Sequence, residues 1–554
     1  MKLSRRAEWI LFAVAMAIRL IHVLSIRDTV WFRYPIIDAA TYHDAAVAIA
    51  AGHGHPDRVF WQPPGYAYFL GAVYAMTGGS DLIARLIQCA LGGVTAVLTA
   101  RIGALLFGRG VGLAAGCAAA AYGTLVYFDA TLLTPALGVP LLLLAIWLAL
   151  RAERERAAPR LWAGAGLFTG LAGLVTANAL VLAPLFAWRA RKRWWIVAVS
   201  ALLAILPATL RNATHGGEAV LLSSNMGINL YIGNNARYDE TVGVRPDLQW
   251  RHLTAEPRRV GIRDAAGGSA YFVRRVLQYA ASNPADFLLL QAKKFRLLLG
   301  GNEIYRNQAI YPERSSSPLL AALLWKIPGL AFPFGLLLPI AAVGLAIGAR
   351  RAPLLAWSVA VYALSVVAFF IAARYRVPLV PLLLVFAAEG GRWLWKEARS
   401  RQRLLAVAGM AAVYAIANLG QGRMDSRMNA DAEYSVGVRL ALAGHPHEAR
   451  DRFRRALDLK PGYAEAWSNL GVIEARDGNM EVAGRAFLRA VELAPDETAA
   501  LANLAIYYEK EGRPEEAARL YERILSLDPG DAVAAARLQA LRSPAAPEEA
   551  SPSP

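Results

Sequence analysis

An all-α polytopic membrane protein with a helical-repeat tail is the architecture the sequence predicts, and three observations predict it. The first is composition: of 554 residues, 56% are hydrophobic and 18% charged, with a mean hydropathy of +0.34. Soluble domains are about 45–50% apolar and about 25% charged, so lipid must solvate much of this chain. The second is a series of long apolar runs bounded by charges, and the third a 34-residue spacing of prolines near the C-terminus. The net charge of +17 does not call for nucleic acid, because so apolar a chain uses arginines to anchor cytoplasmic loops. Cys89 and Cys117 lie in apolar stretches and make no disulfide framework.

A spanning helix needs about 20 mainly apolar residues. The first such run, 9–26, follows Lys2, Arg5 and Arg6. It has no small-residue cleavage site and reads as a retained helix rather than a signal peptide. Runs at 82–107, 111–128, 131–150, 161–176, 178–190, 194–210, 327–348, 353–372, 377–395 and 404–420 follow, about eleven spans in all. Arginines set the sidedness. With the N-terminus cytoplasmic, Arg109, the clusters Arg151 to Arg160 and Arg189 to Arg193, the pair Arg350 and Arg351, and Arg392 to Arg403 all face the cytoplasm of an expected bacterial inner membrane. Segments 27–81 and 211–326 then form outer loops, and the tail is periplasmic. The expected domains are a membrane domain at 1–425, a repeat domain at 430–542 and a disordered end at 543–554. Residues 430–554 carry a net charge of −6 and residues 1–429 one of +23, so the overall +17 averages two unlike parts.

In the tail, Pro461, Pro495 and Pro529 recur every 34 residues. Gly437, Gly471 and Ala505 recur with them, as do Ala449, Ala483 and Ala517, then Phe453, Phe487 and Tyr521, then Ala456, Ala490 and Ile524. This is the tetratricopeptide period: small residues let paired helices approach, the aromatic fills the groove between units, and proline ends the second helix. An α-solenoid of three such repeats holds a protein partner in its concave face, or serves as a spacer.

Candidate chemistry lies in the outer loops. Asp38 follows the first helix, then come Tyr42 and Ala46, Gln62-Pro63-Pro64-Gly65-Tyr66, and Arg85 with Gln88. Tyr127-Phe128-Asp129, Arg211-Asn212, the run Asn225 to Asn234, Asn302-Glu303 and Ala373-Arg374-Tyr375-Arg376-Val377-Pro378 fall on the same membrane face. In their order and placement these residues resemble the GT-C fold glycosyltransferases, specifically the protein mannosyltransferase and aminoarabinose transferase-like family known as dolichyl-phosphate-mannose protein mannosyltransferases, over about residues 5–420. With the repeats, the chain also resembles bacterial members bearing such tails and the eukaryotic transmembrane and tetratricopeptide-repeat mannosyltransferases. The resemblance implies an inverting enzyme that moves a hexosyl or pentosyl group from a polyprenyl-phosphate-linked sugar donor to a protein or glycolipid acceptor outside the membrane.

The residues agree with that chemistry. Phosphate leaves without needing a proton, so one carboxylate acting as base suffices where a glycosidase uses two. Asp38 is the first catalytic candidate, its other reading being the N-cap of a helix beginning near Ala39. Asp129 is the second: it orients the acceptor, holds a metal beside Asp38, or is a turn residue opening the next helix. Arg85, Arg374 and Arg376 suit the donor phosphate, whose oxygens a guanidinium fork binds in pairs; otherwise they are snorkelling interface anchors. Tyr42, Asn229, Asn234 and Glu303 are the substrate-binding candidates. His43, His53 and His55 fit no zinc spacing, so no metal ligand is assigned, and a divalent ion is left open as a cofactor because relatives differ. The stretch FLLLQAKKFRLLLGG sets Lys293, Lys294 and Arg296 against membrane lipid headgroups.

A non-catalytic scaffold whose repeats recruit partners for envelope assembly is the main alternative, and it gives no reason for acids and arginines to gather on one face. A transporter would distribute polar residues through the bilayer midplane, where Arg19, His22 and Arg101 are the few present.

Overall fold

The computed structural model describes residues 3–155, 159–243, 248–304, 306, 310–419 and 426–542. Apart from one short hairpin, all regular structure among them is helical. The chain divides into two compact units, Met1–Gly422 and Arg423–Pro554. The end segment 543–554 and Arg156 lie outside the described residues.

Among the described residues of the first unit, Arg5–Ile26, Asp81–Phe107, Pro135–Arg154 and the stretch Ala177–Thr214 are long and apolar enough to cross a membrane. A bent pair, Arg109–Ala120 and Gly123–Ala130, meets at 52° and brings the number to five if it counts as one span. Ala177–Thr214 is not a single rod. Its 38 residues would run about 57 Å as one helix, but Arg191 at φ 54 breaks it, and Trp194–Thr214 packs back against Leu182–Ala190. At nine residues, Leu182–Ala190 is too short to span alone.

Two other expected spans are also shorter. The run at 327–348 opens instead with a hairpin, Trp325–Ile327 pairing antiparallel with Leu330–Phe332, and its helix is Phe334–Gly348. The run at 353–372 is helical only over Pro353–Ala368. Apolar composition could not reveal these breaks, because an extended strand in protein surroundings is as hydrophobic as a helix in lipid. Non-helical backbone in such a fold must find its hydrogen bonds within the protein, and here buried arginines and asparagines supply them.

Small residues set the helix spacing. A Cβ on Gly112 would sit 2.4 Å from the Ala100 carbonyl oxygen, and one on Gly170 would sit 2.5 Å from that of Ala201. Of the polar residues within the apolar helices, Arg101 forms an ion pair with Glu8 at 2.7 Å, while Arg19 and His22 are buried.

The second unit stacks helix pairs at the 34-residue period. Ser426–Leu442 packs on Pro446–Leu459, Ala464–Arg476 on Met480–Leu493, and Thr498–Lys510 on Pro514–Leu527, with Ala532–Arg542 closing the array. Pro461, Pro495 and Pro529 each lie just beyond a second helix. Phe453, Phe487 and Tyr521 are buried. A Cβ on Gly437 or Gly471 would lie 2.6 Å from the ring of Phe453 or Phe487, so these close approaches need glycine.

Candidate functional site

A cavity of about 270 Å³ in the first unit is walled by eight separate pieces of chain, among them Thr134, residues 175–178 and Arg306. Helix Ile37–Ala50 contributes Asp38 and Tyr42, the loop before Gly65 contributes Trp61 and Gln62, and helix Met226–Ile232 contributes Asn229. Trp250 lines another side, and the segment after helix Pro353–Ala368 brings Phe369, Phe370, Arg374 and Tyr375.

Asp38 is not a helix cap. The N-cap of its helix is Ile36, which makes no side-chain cap bond, and Asp38 lies in the first turn, 7% exposed. The preceding Ile37 has φ 50, a left-handed conformation that costs a β-branched residue roughly 1–3 kcal/mol. The entry to this helix is thus held by its surroundings against its own local preference.

The partner that faces Asp38 is Arg374, whose Nη1 donates to Asp38 Oδ2. Arg374 Nη2 donates to the Tyr375 hydroxyl at 2.9 Å, and Gln62 Nε2 donates to Asp38 Oδ1 at 3.3 Å. Burial works against the charge on Arg374, yet Tyr375 and Asp38 beside it hold its pKa above the usual arginine value. Burial also raises the Tyr42 phenol, with the Asp38 carboxylate adding to the effect, so Tyr42 stays a neutral hydroxyl. Tyr42 meets Tyr66 edge-on at 5.0 Å, and Tyr66 donates to Gln88 Oε1 at 2.5 Å. Gln88 in turn donates to the carbonyls of Asp129 and Thr131 at 3.1 and 2.7 Å. The Gln62-Pro63-Pro64-Gly65-Tyr66 run therefore joins the cavity wall to helix Asp81–Phe107. Gly65 allows this approach, since a Cβ there would lie 2.8 Å from the Leu174 carbonyl oxygen.

Of the nine residues singled out from the sequence, Asp38, Tyr42, Asn229 and Arg374 line the cavity, and the other five do not. Asp129 is 4% exposed and accepts from Arg19 Nε at 2.6 Å, beneath Gly92, where a Cβ would collide with both side chains. Arg85 is 3% exposed, stacks on Phe32 and donates to the carbonyls of Ala130 and Phe32 at 3.0 and 3.1 Å. Arg376 is 2% exposed and donates to Glu303 Oε2 at 2.9 Å and to the carbonyls of Asn302 and Gly300. Glu303 also accepts from Thr124 at 2.8 Å. Asn234 donates to the carbonyls of Leu230 and Ala368, both at 2.8 Å. In each case the polar groups are engaged with backbone or with each other, so these five residues shape the walls from behind.

Lys294 is a further correction. Instead of meeting lipid headgroups it is fully buried, donating to Asn234 Oδ1 at 2.7 Å and to the Phe369 carbonyl at 3.1 Å. Lys293 is the exposed neighbour and pairs with Asp239. Burial lowers the Lys294 pKa to about 7. Gly233 completes this contact, because a Cβ on it would lie 1.7 Å from the same Phe369 carbonyl oxygen. Asn212, in the formal sequon at 212–214, is also buried, bonded to the backbone of Phe60, Val220 and Leu222.

Sequence reasoning did not single out the aromatic wall. Trp61 and Trp250 meet edge to face at 6.0 Å, and Arg306 stacks on Phe370 at 4.2 Å. The available signal was the density of aromatics in two outer loops otherwise poor in apolar runs. No three His, Cys, Asp or Glu side chains among the described residues gather as a metal site. The cavity lining offers one carboxylate, and it faces a guanidinium, a donor set ill suited to a divalent cation.

Residues 61–210 match the family model described as dolichyl-phosphate-mannose-protein mannosyltransferase. Residues 439–498 and 498–531 match two tetratricopeptide-repeat models. None of the curated proteins compared matches the chain. Among solved structures, the apo oligosaccharyltransferase of Archaeoglobus fulgidus is 13% identical, with 77% of this chain and 57% of that one covered and a TM-score of 0.43. ArnT from Cupriavidus metallidurans bound to undecaprenyl phosphate is 15% identical over 94% of this chain and 81% of that one, with a TM-score of 0.38. The first tetratricopeptide domain of Spaghetti (RPAP3) bound to an HSP90 peptide is 24% identical over 21% and 94%, with a TM-score of 0.20. The chain thus carries a segment that matches the mannosyltransferase family model and a tetratricopeptide array, and it spans little more than half the length of the archaeal enzyme.

Two predictions follow from the roles of the buried cations. Arg376→Ala leaves Glu303 buried without its cation, so it should destabilise the first unit by about 3–5 kcal/mol, read as a lower thermal midpoint in detergent. A lysine whose folded pKa of about 7 lies below its ordinary 10.5 holds fewer protons when folded, so stability should rise with pH between those values and be lowest below pH 7. Raising pH from 6 to 9 should stabilise the unit by about 2–3 kcal/mol, and Lys294→Met should flatten that dependence in the same melts.

Proposed function

We propose that the protein is a membrane glycosyltransferase that transfers a sugar from a polyprenyl-phosphate-linked donor to an acceptor hydroxyl, with inversion, on the outer face of a bacterial inner membrane. The observation that carries this reading is a cavity where one carboxylate and one guanidinium face each other among aromatic walls, beside the segment matching the mannosyltransferase family.

Asp38 takes the proton of the acceptor hydroxyl, whose oxygen attacks the anomeric carbon. The bond from that carbon to the phosphate oxygen breaks, and the electron pair leaves with the polyprenyl phosphate. Arg374 stabilises the charge that develops on the departing phosphate, since a cation shielded from bulk water acts most strongly there. Trp61 and Trp250 offer flat faces to a sugar ring, and Asn229 offers an amide to its hydroxyls. A volume of about 270 Å³ lies near the lower end of small-molecule sites, about 300–1,000 Å³, which suits a single sugar and its phosphate better than an oligosaccharide. The repeats hold a protein acceptor or a partner that presents one, since a tethered module raises the local concentration of what it binds.

Asp38→Asn should reduce transfer from a polyprenyl-phosphate sugar by about 10²–10⁴-fold while the protein stays monodisperse in detergent; near-normal transfer would remove Asp38 from the chemistry. Deleting residues 430–554 should impair transfer to protein acceptors far more than to small hydroxyl compounds. Equal loss with both would leave the repeats no part in acceptor delivery.

A further inference from the structure

The ion pair that identifies the site also obstructs it. A carboxylate tied to a guanidinium is a poor base, because the arrangement favours its unprotonated form. An arginine already committed to a carboxylate has less to give a phosphate. The atoms point to an exchange. Arg374 spends Nη1 on Asp38 and Nη2 on the Tyr375 hydroxyl, while its Nε is buried with no hydrogen-bond partner among the described residues. If the guanidinium turns toward a phosphate in the cavity, the buried Nε gains the partner it lacks, and a second donor is released from a group the phosphate can displace. Asp38 has an alternative partner as well, the Gln62 amide at 3.3 Å, which can keep the carboxylate oriented when the guanidinium moves away. Both side chains retain some access to the cavity, at 14% and 10% side-chain exposure.

We propose that Arg374 is a latch: in the resting site it holds Asp38, and on donor binding it moves to the phosphate and frees Asp38 to act as base. This rests on the reading of the cavity as a polyprenyl-phosphate site and adds its regulation. The acceptor is thereby activated only when a donor is present. The charges favour the cycle in the right direction. The donor's phosphodiester carries one negative charge and the departing monoester up to two, so the pull on Arg374 is greatest as the sugar–phosphate bond breaks. After transfer the Asp38 carboxylate competes for Arg374 again and helps expel the lipid phosphate.

The test is a double-mutant cycle with undecaprenyl phosphate as the probe, titrated into the full-length protein in lipid nanodiscs and followed by tryptophan fluorescence, since Trp61 and Trp250 line the cavity. If Asp38 competes with phosphate for Arg374, Asp38→Asn should bind the probe about tenfold more tightly than the wild type, although it no longer transfers sugar. Arg374→Ala should bind more weakly, and adding Asp38→Asn to it should restore little. Unchanged or weaker binding by folded Asp38→Asn would overturn the latch. So would an equal gain with and without Arg374, since that is only the removal of a negative charge near a phosphate. Should Asp38→Asn fail to fold, Asp38→Ser removes the same carboxylate and is read in the same way. The assignment of Asp38 as base stands or falls separately, on whether the variant transfers sugar. Failure of the probe to bind any of the four proteins would instead reject the donor reading itself.

Discussion

A single ion pair, Asp38 with Arg374, joins residues 336 positions apart in the sequence into one site. Neither residue lies in a long apolar helix: one is in the first turn of Ile37–Ala50 and the other in the four-residue helix Ala373–Arg376. Both are therefore positioned by what surrounds them. On the Asp38 side, the strained Ile37, the Gln62 amide and the Tyr42–Tyr66–Gln88 chain fix the start of the helix. On the Arg374 side, the non-helical backbone at Phe369–Ala372 is fixed by Asn234 on the Ala368 carbonyl, by Lys294 on the Phe369 carbonyl and by the Ala373 amide donating to the Ile304 carbonyl at 2.5 Å. The cavity is the space left where these two supports meet.

This explains why so many cations are buried around it. A spanning helix satisfies its own backbone, but a break in one leaves carbonyl groups without partners, and each that is buried away from water costs several kcal/mol. A guanidinium offers up to five donors in a planar fork, so one arginine can satisfy several such carbonyls and remain charged. Arg85 serves Ala130 and Phe32, Arg376 serves Gly300 and Asn302, and Arg19 serves Ala120 at the end of its helix. Each of these also meets a carboxylate, Arg376 that of Glu303, Arg19 that of Asp129 and Arg85 that of Asp81. Arg374 differs from them in kind: among the described residues its hydrogen bonds go to side chains on the cavity wall, and none to a backbone carbonyl.

That difference is also what the sequence could not express. The architecture was legible because it rests on periodicity: long apolar runs for the membrane helices, and a 34-residue repeat whose glycines and aromatics occupy the packing positions they were read into. Asp38 and Arg374 could be singled out as a carboxylate after the first helix and an arginine where positive charge is disfavoured. The same reasoning picked Arg85 and Arg376, because sequence gives an arginine's depth but not whether its fork turns to a ligand or to a stranded carbonyl. Lys294 was misread for the related reason that an amphipathic stretch does not declare which of two adjacent lysines faces inward. Trp61 and Trp250 were overlooked since single aromatics in long polar loops carry no period. The break at Arg191 falls in the charged cluster that separates the runs 178–190 and 194–210, whereas those at the Trp325–Phe332 hairpin and after Ala368 were hidden by continuous hydrophobicity.

The strain at Ile37 bears on how the site can work. A β-branched residue held at positive φ stores roughly 1–3 kcal/mol, comparable to one charge-assisted hydrogen bond at about 1.5–3 kcal/mol. A helix entry held at such a cost is not free to follow its partner. When Arg374 moves, Asp38 is kept in place by the backbone before it and by Gln62 beside it. The arginine has the freedom that the aspartate lacks, since it extends on a long side chain from a helix of only four residues. The asymmetry suits the chemistry, in which the base must stay aligned on an acceptor hydroxyl while the cation follows a phosphate that first arrives and then leaves. A rigid acid facing a mobile arginine is therefore what a site of this kind requires, and the reverse arrangement would lose the alignment of the base each time the donor bound.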